Sequence, residues 1–254
     1  MNKKKNQKDV DLSPNLSIDK LGVKLFADGA DKVGMLEMAA KPFIQGLTTN
    51  PTLMRKAGIT DYKSFALDVL KDIPEKPISF EVFSDDFVEM ERQAIQIASW
   101  GKNVYVKIPI TNTHSESACD LVRKLSKRGI KLNVTALMTL KQVREVVESL
   151  DPSVPSYISV FAGRIADTGV DPLPIMREAV ELIGSGTKAE LIWASPRELL
   201  NVFHADSVGC HIITATNDIL KKLELIGKDL DEYSLDTVRM FHRDAKVSGL
   251  SLNS

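Results

Sequence analysis

Eight short apolar segments, distributed along most of the 254-residue chain, constrain its fold more than any other feature of the sequence. They are rich in Val, Ile, Leu and Phe, and helical patterns fill the gaps between them. The segments cover residues 23–28, 45–49, 78–83, 103–109, 130–135, 157–161, 191–195 and 208–213. Apolar strands that alternate with helices form parallel sheets, and eight such strands close into a barrel of about 250 residues. The sequence therefore predicts a single-domain (β/α)8 barrel.

The two ends of the chain depart from this repeating pattern. Residues 1–20 contain a basic cluster that begins at Lys3, without aromatic residues or an amphipathic face, which is typical of a solvated tail. From about Leu220 onward the pattern indicates one or two further helices. We therefore expect residues 1–20 to form a flexible basic tail, and residues 21–254 to form the barrel with its C-terminal helices.

Composition and charge argue against several classes of function. The 33 Lys and Arg residues nearly balance the 34 Asp and Glu residues, so the chain has no general electrostatic attraction to nucleic acid. No apolar run is long enough to span a bilayer or to follow the first lysines as a secretory signal. Cys119, in a helical pattern, and Cys210, in an apolar segment, offer no disulfide framework. We expect a cytoplasmic protein that binds neither nucleic acid nor membrane.

Lys107 lies near the carboxyl end of the fourth apolar segment, where a charge is unexpected. A buried ammonium commonly has a lowered pKa or a paired carboxylate, and a lysine with a lowered pKa is the nucleophile of Schiff-base chemistry. A lysine that extends its amine to solvent from a strand end is the alternative. Asp28 and Glu81 lie towards the same ends of the first and third segments. A structural ion network remains possible for this cluster, but three ionisable groups at one barrel mouth favour an active site.

Polar residues alternate with apolar ones near the ends of the later segments. Asn133 shares a strand face with Thr135, and Ser159 shares one with Phe161, because residues two apart in a strand point the same way. Ser79 shares a face with Glu81 in the same manner. These side chains are predicted to point into the barrel while the apolar residues between them meet the surrounding helices.

Two arginines follow the sixth and seventh segments, Arg164 and Arg197. Arginines in late loops of a barrel suit a phosphate, which guanidinium binds bidentately, whereas surface ion pairs are the alternative for either one alone. No nucleotide-binding glycine motif is present, and the histidines are too scattered to predict a metal site. They are His114, His204, His211 and His242, of which His211, in the eighth segment, is expected to be a satisfied core residue.

Four motifs occur in order at matching strands: GLTTNPTL at 46–53, VKIP at 106–109, NVT at 133–135 and SVFAGR at 159–164. With these motifs the chain resembles the transaldolase family, the group that contains transaldolases and fructose-6-phosphate aldolases. The resemblance runs from about Val23 to about Ile213, with a looser match around Phe241. It implies a (β/α)8 barrel and a homo-oligomer, with sugar phosphates as substrates.

The resemblance also implies a mechanism without a cofactor or a metal. Lys107 would form a Schiff base with a ketose phosphate such as fructose 6-phosphate or sedoheptulose 7-phosphate, and would retain a dihydroxyacetone unit for transfer to an aldose phosphate. Asp28 would move the C4 hydroxyl proton, and Glu81 with Thr135 would hold a water. The residues that would bind substrate are Asn50, Asn133, Ser159, Phe161, Arg164, Ser195 and Arg197.

Several alternatives remain open at this stage. Fructose-6-phosphate aldolases resemble this chain but tend to carry a glutamine at the position of Glu81 and a tyrosine near the strand-six site, where this chain has Phe161. Both features favour transfer over simple aldol cleavage. A Schiff-base enzyme for a modified ketose, such as a sulfonated sugar, fits the arginines equally well, since guanidinium binds sulfonate as it binds phosphate. The non-enzymatic alternative is a barrel that only binds sugar phosphate.

Overall fold

The computed structural model describes residues 17–249, so most of the predicted basic tail over residues 1–20 lies outside the described residues. Ile18–Lys20 form a short 3-10 helix. The segment Leu21–Lys221 forms one compact unit, and the described residues on either side of it in sequence, 17–20 and 222–249, belong to a second. No helix in the described part of the chain is both long and apolar enough to cross a membrane.

Eight parallel strands of the first unit close into a barrel in sequence order, which confirms the predicted (β/α)8 fold. The strands are β1 (Lys24–Asp28), β2 (Ile44–Thr48), β3 (Ile78–Glu81), β4 (Val104–Pro109), β5 (Leu132–Leu137), β6 (Ser156–Val160), β7 (Ala189–Trp193) and β8 (Ile212–Thr216). The register sets Glu81 beside Lys107 and Lys107 beside Asn133, so polar residues of three neighbouring strands meet at one level of the barrel.

Helices follow the strands as the alternating pattern predicts. In this unit they are α1 (Lys32–Ala39), α2 (Pro51–Lys56), α3 (Tyr62–Asp72), α4 (Phe87–Ala98), α5 (Cys119–Lys127), α6 (Leu140–Ser149), α7 (Ala162–Asp167), α8 (Pro172–Ile183), α9 (Leu200–Ser207) and α10 (Asn217–Leu220). A 3-10 helix spans Lys221–Leu225, and the second unit contains α11 (Leu230–Val247). The Asp229 side chain caps α11 by accepting a hydrogen bond from the Glu232 N–H at 2.9 Å.

The eighth strand differs from its predicted range of 208–213 and begins only at Ile212. Gly209 has φ +71°, a left-handed conformation that ends α9, and the Cys210 N–H donates to the Ala205 C=O at 2.9 Å. Cys210 and His211 therefore precede the strand instead of lying in it. The apolar sequence continues through a helix end, which explains the error. His211 Nδ1 accepts a hydrogen bond from the Leu191 N–H at 3.0 Å, so this histidine is satisfied as expected.

Other strand boundaries also differ from their predicted ranges by one or two residues. The sixth and seventh strands end at Val160 and Trp193, so Phe161 and Ser195 lie in the loops beyond them. Phe161 is the N-cap residue of α7, and Ser195 has φ +57°, a left-handed conformation outside the extended region. Both side chains remain at the barrel mouth, now presented by loops.

Aromatic side chains fill the barrel interior one layer below the polar residues. Tyr105 and Tyr157 lie two positions before Lys107 and Ser159, and their rings stack with centroids 4.0 Å apart. The Phe26 ring meets Tyr157 edge-on with a centroid distance of 5.7 Å. Gly46 faces Phe26 so closely that a Cβ there would lie 2.4 Å from the ring, so only glycine fits. These aromatic rings, which we call the aromatic floor, close the barrel beneath the cavity.

Candidate active site

One cavity of about 510 Å³ opens at the carboxyl ends of the strands. Every residue that the sequence nominated for the site lines it: Asp28, Asn50, Glu81, Lys107, Asn133, Thr135, Ser159, Phe161, Arg164, Ser195 and Arg197. They come from five of the strands and from the segments that follow strands. The strand period and the parallel topology together bring residues far apart in sequence into this single volume.

Lys107 is buried, with 7% of its surface exposed, and its ammonium has two protein partners. Nζ lies 3.0 Å from Glu81 Oε2 and donates a hydrogen bond to the Thr49 C=O at 2.8 Å. Glu81 is therefore the paired carboxylate that a buried lysine was expected to have. A carboxylate in this position compensates for the desolvation of the ammonium and is also placed to accept a proton from it.

Asp28 reaches the cavity from β1 but is surrounded by protein on its other sides. Its Oδ1 accepts a hydrogen bond from Thr48 Oγ1 at 2.8 Å, and its Oδ2 accepts one from Asn50 Nδ2 at 3.3 Å. Burial raises the pKa of the Asp28 carboxyl above its ordinary value, against the opposing effects of the Lys107 charge and these two hydrogen bonds. A carboxyl with a raised pKa exchanges its proton closer to neutral pH, as a general acid–base must.

Asn50 owes its orientation to its place at the start of α2. Its Oδ1 accepts a hydrogen bond from the Leu53 N–H at 2.9 Å, the usual role of an N-cap asparagine. Because the carbonyl end of the amide is used in the cap, the Nδ2 end faces Asp28. The turn pair Asn50-Pro51 thus ends the β2 segment, starts the helix and aims an amide donor into the cavity.

A chain of hydrogen bonds joins β6, β5 and β3 beneath the cavity surface. Ser159 Oγ donates to Asn133 Oδ1 at 2.7 Å, and Asn133 Nδ2 donates to Ser79 Oγ at 3.0 Å. Ser79 thereby fixes which end of the Asn133 amide carries the donors. The sequence predicted only that Ser79 shares a strand face with Glu81. Its position two residues before Glu81 was the signal that it supports the site.

Thr135 presents a polar atom without a protein partner. Its Oγ1 is buried and forms no hydrogen bond within the described part of the chain. The residue is 2% exposed and lines the cavity. Since buried hydroxyls are normally hydrogen-bonded, this orphan points to a water or a substrate group as its partner.

The two arginines are held by different neighbours at the mouth. The Arg164 guanidinium carbon lies 5.7 Å from the centroid of the Phe161 ring, a cation–π contact. Arg197 forms a two-point ion pair with Asp167, in which Nε lies 3.0 Å from Oδ1 and Nη2 contacts Oδ2. Arg197 therefore already has a carboxylate partner, and an anionic ligand would have to compete with Asp167 for the guanidinium.

Helix α7, which carries Arg164, meets the loop that carries Arg197 at Gly163. A Cβ on Gly163 would lie 1.5 Å from the backbone oxygen of Ser195, so no other residue fits without moving the helix or the loop. The Gly163 N–H also donates to the Ala194 C=O at 3.3 Å. This contact fixes Arg164 and Ser195 relative to each other and makes one surface from α7 and the loop.

Four further polar residues line the cavity although they were not predicted from the sequence: Thr48, Thr52, Lys56 and Thr214. Thr48 Oγ1 lies 2.6 Å from Thr214 Oγ1 and continues the hydrogen bonds around Asp28. Thr214 was missed because the eighth strand was predicted to end at residue 213. Among residues 17–249, no three His, Cys, Asp or Glu side chains come together as ligands for a metal ion.

Comparison with known proteins gives one consistent result. The sequence model of the Transaldolase/Fructose-6-phosphate aldolase family matches residues 25–252. A probable transaldolase of Thermoanaerobacter sp. (strain X514) is 32% identical over 234 residues, which cover 91% of this chain and 100% of that protein. A probable transaldolase of Dehalococcoides mccartyi is 32% identical over 202 residues, which cover 79% of this chain and 90% of that protein.

A third relative extends the same pattern. A probable transaldolase of Streptococcus agalactiae serotype V is 35% identical over 193 residues, which cover 76% of this chain and 85% of that protein. The family match spans all eight strands of the barrel and every residue of the cavity described above. This chain therefore belongs to the transaldolase/fructose-6-phosphate aldolase family and is an enzyme of that family.

Proposed function

We propose that this protein is a transaldolase, which moves a dihydroxyacetone unit from a ketose phosphate to an aldose phosphate through an imine on Lys107. The observation that carries the proposal is the buried Lys107 ammonium, 3.0 Å from Glu81, in a cavity that also contains Asp28 and two arginines. The family match and the relatives, which are named probable transaldolases, support the same reaction.

Imine formation begins when Lys107 loses a proton to the Glu81 carboxylate. The free amine adds to the C2 carbonyl of the ketose, and the resulting carbinolamine loses water to give a protonated imine. The orphan hydroxyl of Thr135 provides a hydrogen-bond site for a water that carries protons between Glu81 and the carbinolamine. The same water attacks the imine when the product is released.

Cleavage of the C3–C4 bond uses Asp28 as the base. Its carboxylate takes the C4 hydroxyl proton, the C3–C4 electron pair moves into the protonated imine, and the aldose phosphate leaves while an enamine stays on Lys107. An acceptor aldehyde then takes the enamine carbon, and Asp28 returns the proton to the new alkoxide. The imine is the electron sink for both directions, so the chain's own residues suffice for this sequence of steps.

Substrate binding divides between the interior and the rim of the cavity. Asn50, Asn133 and Ser159 hydrogen-bond the hydroxyls of the dihydroxyacetone unit, while Arg164, Arg197 and Ser195 bind the phosphate. The donors that fit this arrangement are fructose 6-phosphate and sedoheptulose 7-phosphate, the ketoses of the pentose phosphate pathway. The acid at position 81 and the phenylalanine at position 161 favour transfer to an acceptor over release of free dihydroxyacetone.

The setting that we propose follows from these substrates. We infer a cytoplasmic enzyme that acts as a homo-oligomer, with residues 21–254 as the catalytic barrel with its C-terminal helices. Free thiols at Cys119 and Cys210 are consistent with a reducing compartment. Sedimentation of the purified protein would give the number of copies, and a monomer at micromolar concentration would contradict the inferred oligomer.

Borohydride trapping with fructose 6-phosphate, followed by mass mapping of the modified peptide, tests the proposed function. We expect a reduced dihydroxyacetone adduct on Lys107, and turnover that depends on an added aldose phosphate. Lys131→Met, which removes an amine from the start of the neighbouring β5 segment, is the matched control and should leave the adduct unchanged. No adduct on Lys107 in folded protein, over a panel of ketose phosphates and sulfonates, would overturn the mechanism. Rapid release of free dihydroxyacetone without an acceptor would identify a direct aldolase instead.

A further inference from the structure

The ladder of backbone hydrogen bonds between β2 and β3 ends one bond early. The Leu47 N–H donates to the Pro77 C=O at 2.9 Å, and the Thr49 N–H donates to the Ser79 C=O at 3.1 Å. In a regular parallel ladder, the next bond would run from the Glu81 N–H to the Thr49 C=O. This bond is not formed, although both groups are present at the right level of the barrel.

The two groups that would form the missing bond, the Thr49 C=O and the Glu81 N–H, have other partners. The Thr49 C=O accepts a hydrogen bond from Lys107 Nζ at 2.8 Å. The Glu81 N–H donates to the hydroxyl of Tyr62 at 2.8 Å, and the same hydroxyl donates to the Glu81 C=O at 3.0 Å. One phenol therefore satisfies both backbone groups of the residue whose carboxylate pairs with Lys107, and a carbonyl of the ladder is left free for the lysine.

Tyr62 is well placed for this role by its own surroundings. It is the first residue of α3, whose start is fixed by Asp61 accepting a hydrogen bond from the Ser64 N–H at 3.0 Å. Its ring packs edge-on against Phe80 and Trp100, with centroid distances of 6.2 and 5.5 Å. Burial raises the pKa of the Tyr62 phenol, so the hydroxyl keeps the proton that it donates.

We propose that Tyr62 is a positioning residue for the lysine chemistry: its hydroxyl replaces a strand partner of Glu81, and so reserves the Thr49 carbonyl for Lys107. The proposal rests on the function proposed above, and it concerns a residue that lies outside the cavity lining. In the absence of the hydroxyl, the regular ladder offers the Glu81 N–H the Thr49 C=O as its acceptor. The ladder would then close by one bond, and Lys107 would lose an acceptor while the Glu81 carboxylate shifts with its backbone.

The test is the Tyr62→Phe variant of the full chain, compared with Tyr157→Phe. Tyr157→Phe removes a buried phenol hydroxyl from the aromatic floor, which makes no hydrogen bond to Glu81 or Lys107, and so controls for the loss of a buried hydroxyl in general. Single-turnover borohydride trapping with fructose 6-phosphate would be followed over a range of pH, together with kcat and KM. The ionisable groups that face Lys107, Glu81 on β3 and Asp28 on β1, are present in both variants.

We expect Tyr62→Phe to form the Lys107 adduct about tenfold more slowly, with KM unchanged, because the Glu81 carboxylate that takes the ammonium proton shifts with its backbone. The pH profile of the trapping rate should also be displaced, because proton transfer between Lys107 and Glu81 loses its geometry. Tyr157→Phe should keep the wild-type pH profile. A folded Tyr62→Phe protein with the wild-type trapping rate and pH profile would overturn the proposal while leaving the proposed function intact.

Failure of the proposed function is distinguishable, because the wild-type protein would then form no adduct on Lys107 at all. Should Tyr62→Phe fail to fold, 3-fluorotyrosine at position 62 keeps the ring and makes the hydroxyl a weaker acceptor for the Glu81 N–H. The expected result is a smaller displacement of the pH profile in the same direction. An unchanged profile with 3-fluorotyrosine would overturn the proposal.

Discussion

Lys76 and Lys107 are two lysines held at opposite ends of the barrel, and their surroundings differ in kind. Lys76 precedes β3, and its ammonium donates to three backbone carbonyls, those of Ala39 at 2.6 Å, Lys41 at 3.2 Å and Ile44 at 2.6 Å. Lys107 lies near the carboxyl end of β4 and has one carbonyl partner, together with the carboxylate of Glu81. Within the described residues, all three N–H bonds of Lys76 are used, whereas Lys107 has two protein partners.

The difference separates a lysine that holds structure from one that can react. Burial lowers the pKa of Lys76, yet this residue has neither a carboxylate to take its proton nor a place in the cavity lining. Lys107 has both. A lowered pKa is therefore insufficient to identify a nucleophile, because an amine must also reach a substrate and lose its proton to a nearby base.

The largest expected effect distinguishes the two lysines directly. Lys107→Met should reduce turnover by at least about a thousandfold, because the imine cannot form without the amine. Circular dichroism should show that the variant keeps the barrel. Measurable turnover in this variant, with purified protein free of wild-type enzyme, would contradict the role of Lys107 as nucleophile.

A smaller effect is expected when the lysine keeps its amine but loses its base. Glu81→Gln preserves a hydrogen-bond acceptor for Lys107 and removes the carboxylate, so imine formation should slow by about a hundredfold. The rate of borohydride trapping on Lys107 measures this step. Trapping at the wild-type rate would show that Glu81 only neutralises the ammonium, and would make Lys107 more like Lys76 than we propose.

The converse experiment removes the other lysine. Lys76→Met leaves three carbonyls without their donor and should lower Tm by about 5 °C, which corresponds to ~2 kcal/mol in a chain of this length. Activity per folded molecule should stay near the wild-type value, since Lys76 lies at the far end of the barrel. Thermal unfolding and turnover at a temperature below the transition measure both quantities. Loss of activity without loss of stability would break the comparison.

The smallest effect concerns the charge of Asp28 next to Lys107. The pKa of this carboxyl is raised in the folded protein, so between its ordinary and its raised pKa the folded chain binds more protons than the unfolded chain. The folded state therefore loses stability as pH rises through that window. Asp28→Asn removes this penalty and should raise Tm at neutral pH, with the gain shrinking as pH falls from the raised pKa towards the ordinary aspartate pKa and absent below it. The variant should also accumulate an uncleaved six-carbon adduct on Lys107. A Tm below wild type at pH 7 would contradict this reading.

The sequence was sufficient for the residues whose position follows from strand period and parallel topology. Lys107, Asp28 and Glu81 each lie at the carboxyl end of an apolar segment, and a closed barrel has one such end. Asn50 was placed correctly by family resemblance, and its capping geometry explains its orientation. Arg197 lies in the loop after strand seven as predicted, whereas Arg164, predicted in a loop, lies in α7, which begins directly after Phe161.

The features that escaped sequence reasoning depend on the backbone. Besides Glu81, the partner of Lys107 is the main-chain carbonyl of Thr49, which any residue type would supply. Tyr62 acts from the start of a helix, where no period of the strands could indicate that its hydroxyl reaches Glu81. The end of α9 was mistaken for a strand because apolar residues continue through Gly209 without a polar interruption. Such details need three-dimensional coordinates because they arise from where segments end.

The aromatic floor beneath the cavity has a kinetic consequence. Because Phe26, Tyr105 and Tyr157 fill the barrel below Lys107, the donor, the first product and the acceptor must all pass through the same opening. The aldose phosphate released by cleavage therefore has to depart before the next aldose phosphate can enter. A single opening used in this order predicts ping-pong kinetics for the proposed reaction, with parallel lines in double-reciprocal plots. The departing and arriving aldoses should compete for the enamine form of the enzyme.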